Sequence, residues 1–216
     1  MNTCVIIPSY NESKVIADLV ERIRKIGLEV IVVDDGSQDN TAELSGQKGA
    51  IVLRNEKRQG KGASLRKGFA FALQNSFAAV IIMDGDGQHD PEDISKFISA
   101  AQGKEPCLIV GNRIVDAKGM PAIRWLTNRF MSWLISLVCN RNVPDSQCGF
   151  RYISAEVLKK IELRTDKFEI ETEIIVQAAK KGFPIISAPI KTIYAGEKSN
   201  INPFVDTLRF IKFLFK

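Results

Sequence analysis

Short apolar runs alternate with helical periodicity through the first half of the chain. Thr3–Pro8 reads as a strand, and Lys14–Ile26 repeats its apolar positions at helical spacing until Gly27 stops it. Glu29–Asp34 is a β-branched run, VIVV, that ends in acid. Asp39–Lys48 predicts a short helix capped by Asp39 or Asn40 and closed by Gly49. Ile51–Arg54 is a further strand, followed by the polar loop NEKRQGKG and a helix over Ala63–Ser76. Ala79–Met83 is a fourth strand, Pro91–Gln102 a helix opening with Pro in its first turn, and Leu108–Val110 a fifth strand.

Strands of a few apolar residues separated by helices mean βαβ units and a mostly parallel sheet in an α/β domain. Such sheets bind ligands outside the carboxyl ends of their strands. The polar loops PSYNES, DDGSQDN, DGDGQHD and GNR all fall there. The second half breaks the rhythm. A long helical stretch covers Pro121–Asn140, the loop VPDSQCGFR follows, and then come helices near Ala155–Ile161 and Glu171–Lys181 and a strand at Ile185–Pro189. With no repeat or flexible linker, residues 1–216 read as one domain. Residues 1–112 form its ligand-binding half, 113–202 a second, acceptor-side half, and 203–216 a terminal amphipathic helix.

Composition changes this picture in two ways. The chain of 216 residues is 45% hydrophobic and 25% charged, as in ordinary soluble domains, and its four cysteines are scattered with no CxxC pair. Cys4 and Cys107 sit in apolar runs and read as core residues of a protein kept in a reducing compartment. The first apolar stretch is short and ends at Pro8, unlike a secretory leader. The run Phe130–Cys139 falls short of the roughly 20 apolar residues a membrane crossing needs. The net charge is +5, but residues 113–151 hold six Lys/Arg against two Asp, and 191–216 hold five against one Asp and one Glu. An anionic partner is therefore expected on the second half. No nucleic-acid motif accompanies the charge, so a phosphate-bearing small molecule or lipid suits it better.

The sharpest motif is DGDGQ at Asp84–Gln88, a D-x-D directly after a buried strand. In extended backbone, residues two apart share a side, so Asp84, Asp86 and Gln88 can present oxygens to one hard divalent cation. A calcium loop is excluded, because its sixth position is His89 and its twelfth Ser95. An Asp-Gly turn is the plain alternative. Neither GxGxxG nor GxxxxGK[ST] is present. The adjacent acids of VVDDGSQDNT suit a ribose or base edge, or a turn cap.

Taken together, VIIPSYNE, VIVVDDGSQDNT, GKGASLRKGF and MDGDGQHDPEDI resemble the inverting family-two glycosyltransferases with the GT-A fold. The resemblance is closest to the dolichyl- or polyprenyl-phosphate hexosyltransferases, such as the dolichol-phosphate mannose and glucose synthases. It extends through GNR, DSQCGFR, FEIETE and GEKSNINPFVDTLRF, nearly the whole chain. The resemblance implies that Pro8, Tyr10 and Glu12 line a nucleotide pocket and that Asp35 holds base or ribose. It implies that Asp84, Asp86 and Gln88 ligate Mg2+ or Mn2+ on the donor diphosphate, that Arg113 and Arg124 face the phosphates of donor or acceptor, and that Arg151 belongs to the substrate-binding set. The sequence departs from the pattern at Gly85, Gly87 and Asn200, which bears on substrate choice more than on chemistry.

The implied activity is transfer of mannose or glucose from a GDP- or UDP-linked donor to a polyprenyl or dolichyl phosphate, at the cytoplasmic membrane face. A transferase acting on a sugar hydroxyl and a silent nucleotide-sugar-binding protein are the alternatives. A phosphate acceptor is already ionised and needs cationic positioning, which the basic segment offers; a hydroxyl needs a carboxylate base, in FEIETE or at Asp145. His89 sits past the acids at a helix start and reads as a bystander. The tail PFVDTLRFIKFLFK reads either as a helix docked on the domain or as an interfacial helix on an anionic membrane.

Overall fold

The computed structural model describes residues 2–116, 120–191 and 193. Seven strands form one sheet: β1 (Thr3–Ser9), β2 (Glu29–Asp34), β3 (Ile51–Arg54), β4 (Ala79–Ile82), β5 (Leu108–Asn112), β6 (Arg151–Ser154) and β7 (Ile185–Pro189). The helices are α1 (Ile16–Lys25), α2 (Thr41–Gln47), α3 (Lys61–Gln74), α4 (Ile94–Ala101), α5 (Ala122–Cys139), α6 (Ala155–Lys160) and α7 (Glu169–Lys180). The strand order is β3-β2-β1-β4-β6-β5-β7. All neighbours are parallel except β6, which runs antiparallel to both β4 and β5.

The inner parallel strands β1, β2, β4 and β5 carry continuous apolar stretches because helices pack on the sheet. Val5–Ile7, Val30–Val33, Ile81 and Ile109 are buried, whereas the edge strands β3 and β7 are only partly so. Helix α1 shows how the pattern becomes packing: Ile16, Leu19, Val20 and Ile23 form its buried face, and Gly27 ends it at φ +88°. Helix α3 lies so close on β1 and β2 that a Cβ at Gly68 would stand 2.7 Å from Ile6 Cγ2 and 3.3 Å from Val33 Cγ2.

Two features differ from the sequence reading. The strand Arg151–Ser154 has no counterpart there, where the loop VPDSQCGFR ends at Arg151 and the next element is the helix near Ala155. The strand is four residues long, opens with a charged residue and runs straight into α6, so it carries no strand period of its own. Its antiparallel direction is what brings the preceding loop, 145–150, to the edge where the parallel strands end. Helix α3 begins two residues earlier than its apolar pattern, because the Asp166 carbonyl accepts from the N–H groups of Gly62 (2.8 Å) and Ala63 (3.2 Å). That partner is about a hundred residues away and invisible locally. The segments 117–119 and 194–216, including the tail 203–216, lie outside the described residues. Among the described residues no helix is long and apolar enough to cross a membrane.

Replacing Gly68 by Val should cost about 1–3 kcal/mol of stability, because neither Ile6 nor Val33 has room to move. Urea unfolding of the two proteins measures this directly.

Candidate active site at the carboxyl edge of the sheet

The chain leaves β1 toward β2 and β3 on one side and returns to β4 on the other, so the sheet's switch point lies at the carboxyl end of β1. The loops after β1 and β2 are laced together there. Asn11, at φ +57°, donates its N–H to Ser37 Oγ (2.9 Å) and accepts from Gln38 N at Oδ1 (2.9 Å); Glu12 N donates to Thr41 Oγ1 (2.8 Å). Tyr10 is half-buried and its ring packs under the Arg58 guanidinium, 4.2 Å from the ring centre. Pro8 and Glu12 are likewise half-buried on this edge.

Asp35 is buried and already engaged. Its Oδ1 accepts from Asn55 Nδ2 and Gln59 N, both at 2.9 Å, and its Oδ2 from Gly60 N at 2.8 Å. It thus orders the loop before α3, a role that the expectation of a base or ribose contact did not contain.

After β4 the chain turns at Gly85 and Asp86, with Gly87 at φ +74°, so the acids are not on an extended segment. The turn, rather than strand alternation, brings Asp84 and Asp86 together. A Cβ at Gly85 would meet Ser9 Oγ at 2.7 Å, which is why this position has no side chain. Asp84 is central. Its Oδ1 lies 2.5 Å from Lys61 Nζ, and Lys61 in turn lies 2.5 Å from Glu171 Oε1. Its Oδ2 faces Gly149, where a Cβ would stand 2.5 Å away, and His89 Nε2 at 3.8 Å. His89, expected as a bystander, is buried against this carboxylate and the Phe150 ring, with no partner for its Nδ1. Burial works against the charge on Asp84, but the Lys61 ammonium, helped by the nearby His89 ring, outweighs it and holds the carboxyl below the usual carboxylate range. Asp86 is shifted upward, by burial first and then by the charge of Asp84. Its Oδ1 accepts from Gln88 N at 3.0 Å.

Two carboxylates in one turn, one of them resisting ionisation through burial and the charge of the other, fit a divalent cation that would relieve both. Among the described residues no set of three His, Cys, Asp or Glu forms a complete metal cage. That is compatible with an ion that takes its remaining ligands from a bound diphosphate.

The expected arginines divide. Arg113, at the end of β5, makes a buried bidentate pair with Asp145, Nε to Oδ2 at 2.8 Å and Nη2 to Oδ1 at 2.9 Å. Arg151 is fully buried. Its Nε and Nη2 donate to the carbonyls of Cys148 and Ser146, both at 2.8 Å, and its Nη1 donates to the carbonyl of Glu171. Arg151 was expected to bind substrate; in this structure each of its nitrogens donates to a protein carbonyl. Arg124 lies half-exposed in the first turn of α5. Glu173, from FEIETE, accepts from Arg164 N, Thr165 N and Thr165 Oγ1, fixing the loop that abuts α3. Lys61 is the participant that sequence reasoning missed; its signal was the glycine-flanked lysine of GKGASLRKGF, a segment that entered only through the family resemblance.

Residues 4–162 match the family described as Glycosyl transferase family 2. The chain belongs to this family. Its relatives include the UDP-N-acetylglucosamine–dolichyl-phosphate N-acetylglucosaminyltransferase of Methanococcus voltae, 31% identical over 88% of this chain and 85% of that protein. Another is the undecaprenyl-phosphate mannosyltransferase of Micrococcus luteus, 29% identical over 88% of this chain and 83% of that protein. The fold matches glucosyl-3-phosphoglycerate synthase from Mycobacterium tuberculosis, solved with Mn2+, UDP-glucose and phosphoglyceric acid. That match has a TM-score of 0.76 and covers 99% of this chain and 78% of that one at 18% identity. The sheet and its helices are therefore those of the GT-A glycosyltransferases, and the chain is a glycosyltransferase.

Arg113→Ala should cost about 3–5 kcal/mol of stability, because it strands the Asp145 carboxylate in the interior. The double variant Arg113→Met with Asp145→Leu should lose less, and thermal melts of both distinguish the pair's structural role from ligand contact.

Proposed function

We propose that this glycosyltransferase is metal-dependent and inverting, and that it moves a hexose from a UDP- or GDP-linked donor to a polyprenyl or dolichyl phosphate. The observation that carries the acceptor class is the state of the carboxylates. Asp145 is paired with Arg113, Glu171 with Lys61, and Glu173 with the backbone of 164–165, which leaves Glu169, half-buried in the first turn of α7, as the one FEIETE acid not so engaged. A hydroxyl acceptor would need one of these candidates as a base. A phosphate would not, being ionised already. The relatives named for dolichyl and undecaprenyl phosphate support the same reading.

In this reading Asp84 and Asp86 would hold Mg2+ or Mn2+, with Gln88 as the further oxygen donor. A bound cation supplies the Lewis acid that stabilises charge on the departing nucleoside diphosphate. Pro8, Tyr10 and Glu12 line the nucleotide side, and Asp35 shapes that pocket through the loop at Gln59–Gly60. Arg113 has a partner, so positioning of the acceptor phosphate falls first to Arg124.

Helix α5 favours work at a membrane surface. Ile123, Leu126, Phe130, Trp133 and Leu137 recur at three- and four-residue steps and are all exposed, Ile123 by 78% and Trp133 by 56%. From Lys118 to Arg141 the sequence carries four basic residues and no acid, the pattern of a face drawn to anionic lipid. The segment 203–216, with its Phe-rich and basic composition, would add to it. The free cysteines suit the cytoplasmic side.

The direct test screens UDP- and GDP-sugars with polyprenyl phosphate and Mn2+, and identifies the product and its anomeric configuration. Transfer only to sugar hydroxyls, or none, would reject the acceptor. Asp86→Ala should keep the fold, abolish transfer and remove Mn2+-dependent binding of the nucleoside diphosphate; full turnover with chelator present would remove the metal. Both tryptophans lie in α5, so Trp125→Phe leaves Trp133 as the sole reporter. Its emission should shift to the blue on anionic vesicles and shift less as salt rises. An unchanged spectrum would take α5 off the membrane.

A further inference from the structure

We propose that Lys61 is a resident counter-cation that keeps the acid pair closed to bare divalent metal, so that the metal enters together with the diphosphate. The inference rests on the metal-dependent reading above and adds the order in which the site fills.

The geometry is specific. The Lys61 ammonium sits 2.5 Å from Asp84 Oδ1, the oxygen a cation would need, and is held there from the other side by Glu171 Oε1 at 2.5 Å. Its side chain is only 13% exposed. The backbone that carries it cannot retreat. Cβ atoms at Gly60 and Gly62 would each meet a carbonyl oxygen of the 165–166 loop at 2.5 Å, and Asp166 accepts from the helix N-terminus. The second oxygen of Asp84 is crowded by Gly149 and His89. A bare cation would therefore have to displace a fixed ammonium from Asp84 and remain within a few ångströms of it.

Like charges so placed in a half-buried site repel strongly. A nucleoside diphosphate changes the balance. Its phosphate oxygens give the cation further ligands and give the ammonium a new partner, which a lysine's flexible stem can reach without moving the backbone. The rival account makes Lys61 only a strut between α3 and α7. A strut would lose stability on removal without altering the site's preference for bare metal.

The experiment measures Mn2+ binding to the full chain, with and without UDP or GDP, by the signal of free Mn2+ or by calorimetry. Wild type is compared with Lys61→Met and with the double variant Lys61→Met, Glu171→Gln. The double variant removes one charge of each sign, so its net charge is that of wild type. A gain it shows reports on the ammonium itself. Both variants should bind bare Mn2+ about tenfold or more tightly than wild type, and the factor by which nucleotide tightens Mn2+ binding should shrink. Unchanged or weaker binding of bare Mn2+ by the folded double variant would overturn the proposal even where wild type binds nucleotide with Mn2+. Absence of Mn2+-dependent nucleotide binding in wild type would overturn the metal reading itself, and this proposal with it.

Discussion

Carboxylates gathered at the end of a hydrophobic sheet repel one another, and the chain manages that repulsion with a single ammonium. Lys61 stands between Asp84, at the end of β4, and Glu171, in the first turn of α7. The first acid belongs to the parallel half and the second to the irregular half, beyond the stretch that matches the family. One side chain thus joins the two parts of the domain at the point where chemistry is expected. Much of the surrounding structure holds that lysine in place. Asp35 fixes the loop leading into α3, the 165–166 loop closes over the two glycines beside Lys61, and Glu173 orders that loop.

The second half also uses positive charge internally. Arg113 and Arg151 account for two of the six basic residues between 113 and 151, yet both are buried and bonded to protein acceptors. Their bonds fasten the 145–150 loop against the carboxyl edge, which puts the Gly149 backbone on Asp84. Basic composition in this segment consequently has two physical meanings. The buried arginines satisfy carbonyls and a carboxylate that would otherwise be left unpaired, at a cost of several kcal/mol each if removed. Those on α5 lie beside a row of exposed apolar side chains and remain open to an anionic surface.

The parallel half was legible from the chain because each element there carries its own signal. Val30–Val33 is β-branched and continuous, Ile16–Ile23 repeats at helical spacing, and Gly27 and Gly49 end their helices with positive φ. β6 was not legible, since a four-residue strand beginning with Arg and leading directly into a helix has no period to detect. DGDGQ was found for its composition, but its geometry was misjudged. The glycines that make the acids conspicuous also bend the segment out of the extended form. His89 shows the same limit: its neighbours in sequence suggested a helix start, while its neighbours in space are Asp84 and Phe150.

Sequence alone determined what depends on local periodicity and residue type: the α/β class, the loops at the carboxyl ends, the paired acids and the family they resemble. Tertiary structure decided which charges face each other. Lys61 and Glu171 are 110 positions apart, and Arg113 and Asp145 are 32 apart. No spacing rule links such pairs, because their distance is set by the reversal of β6 and by the packing of α7 against α3. The division of the arginines between interior and surface follows from that packing, and so does the counter-cation at Asp84.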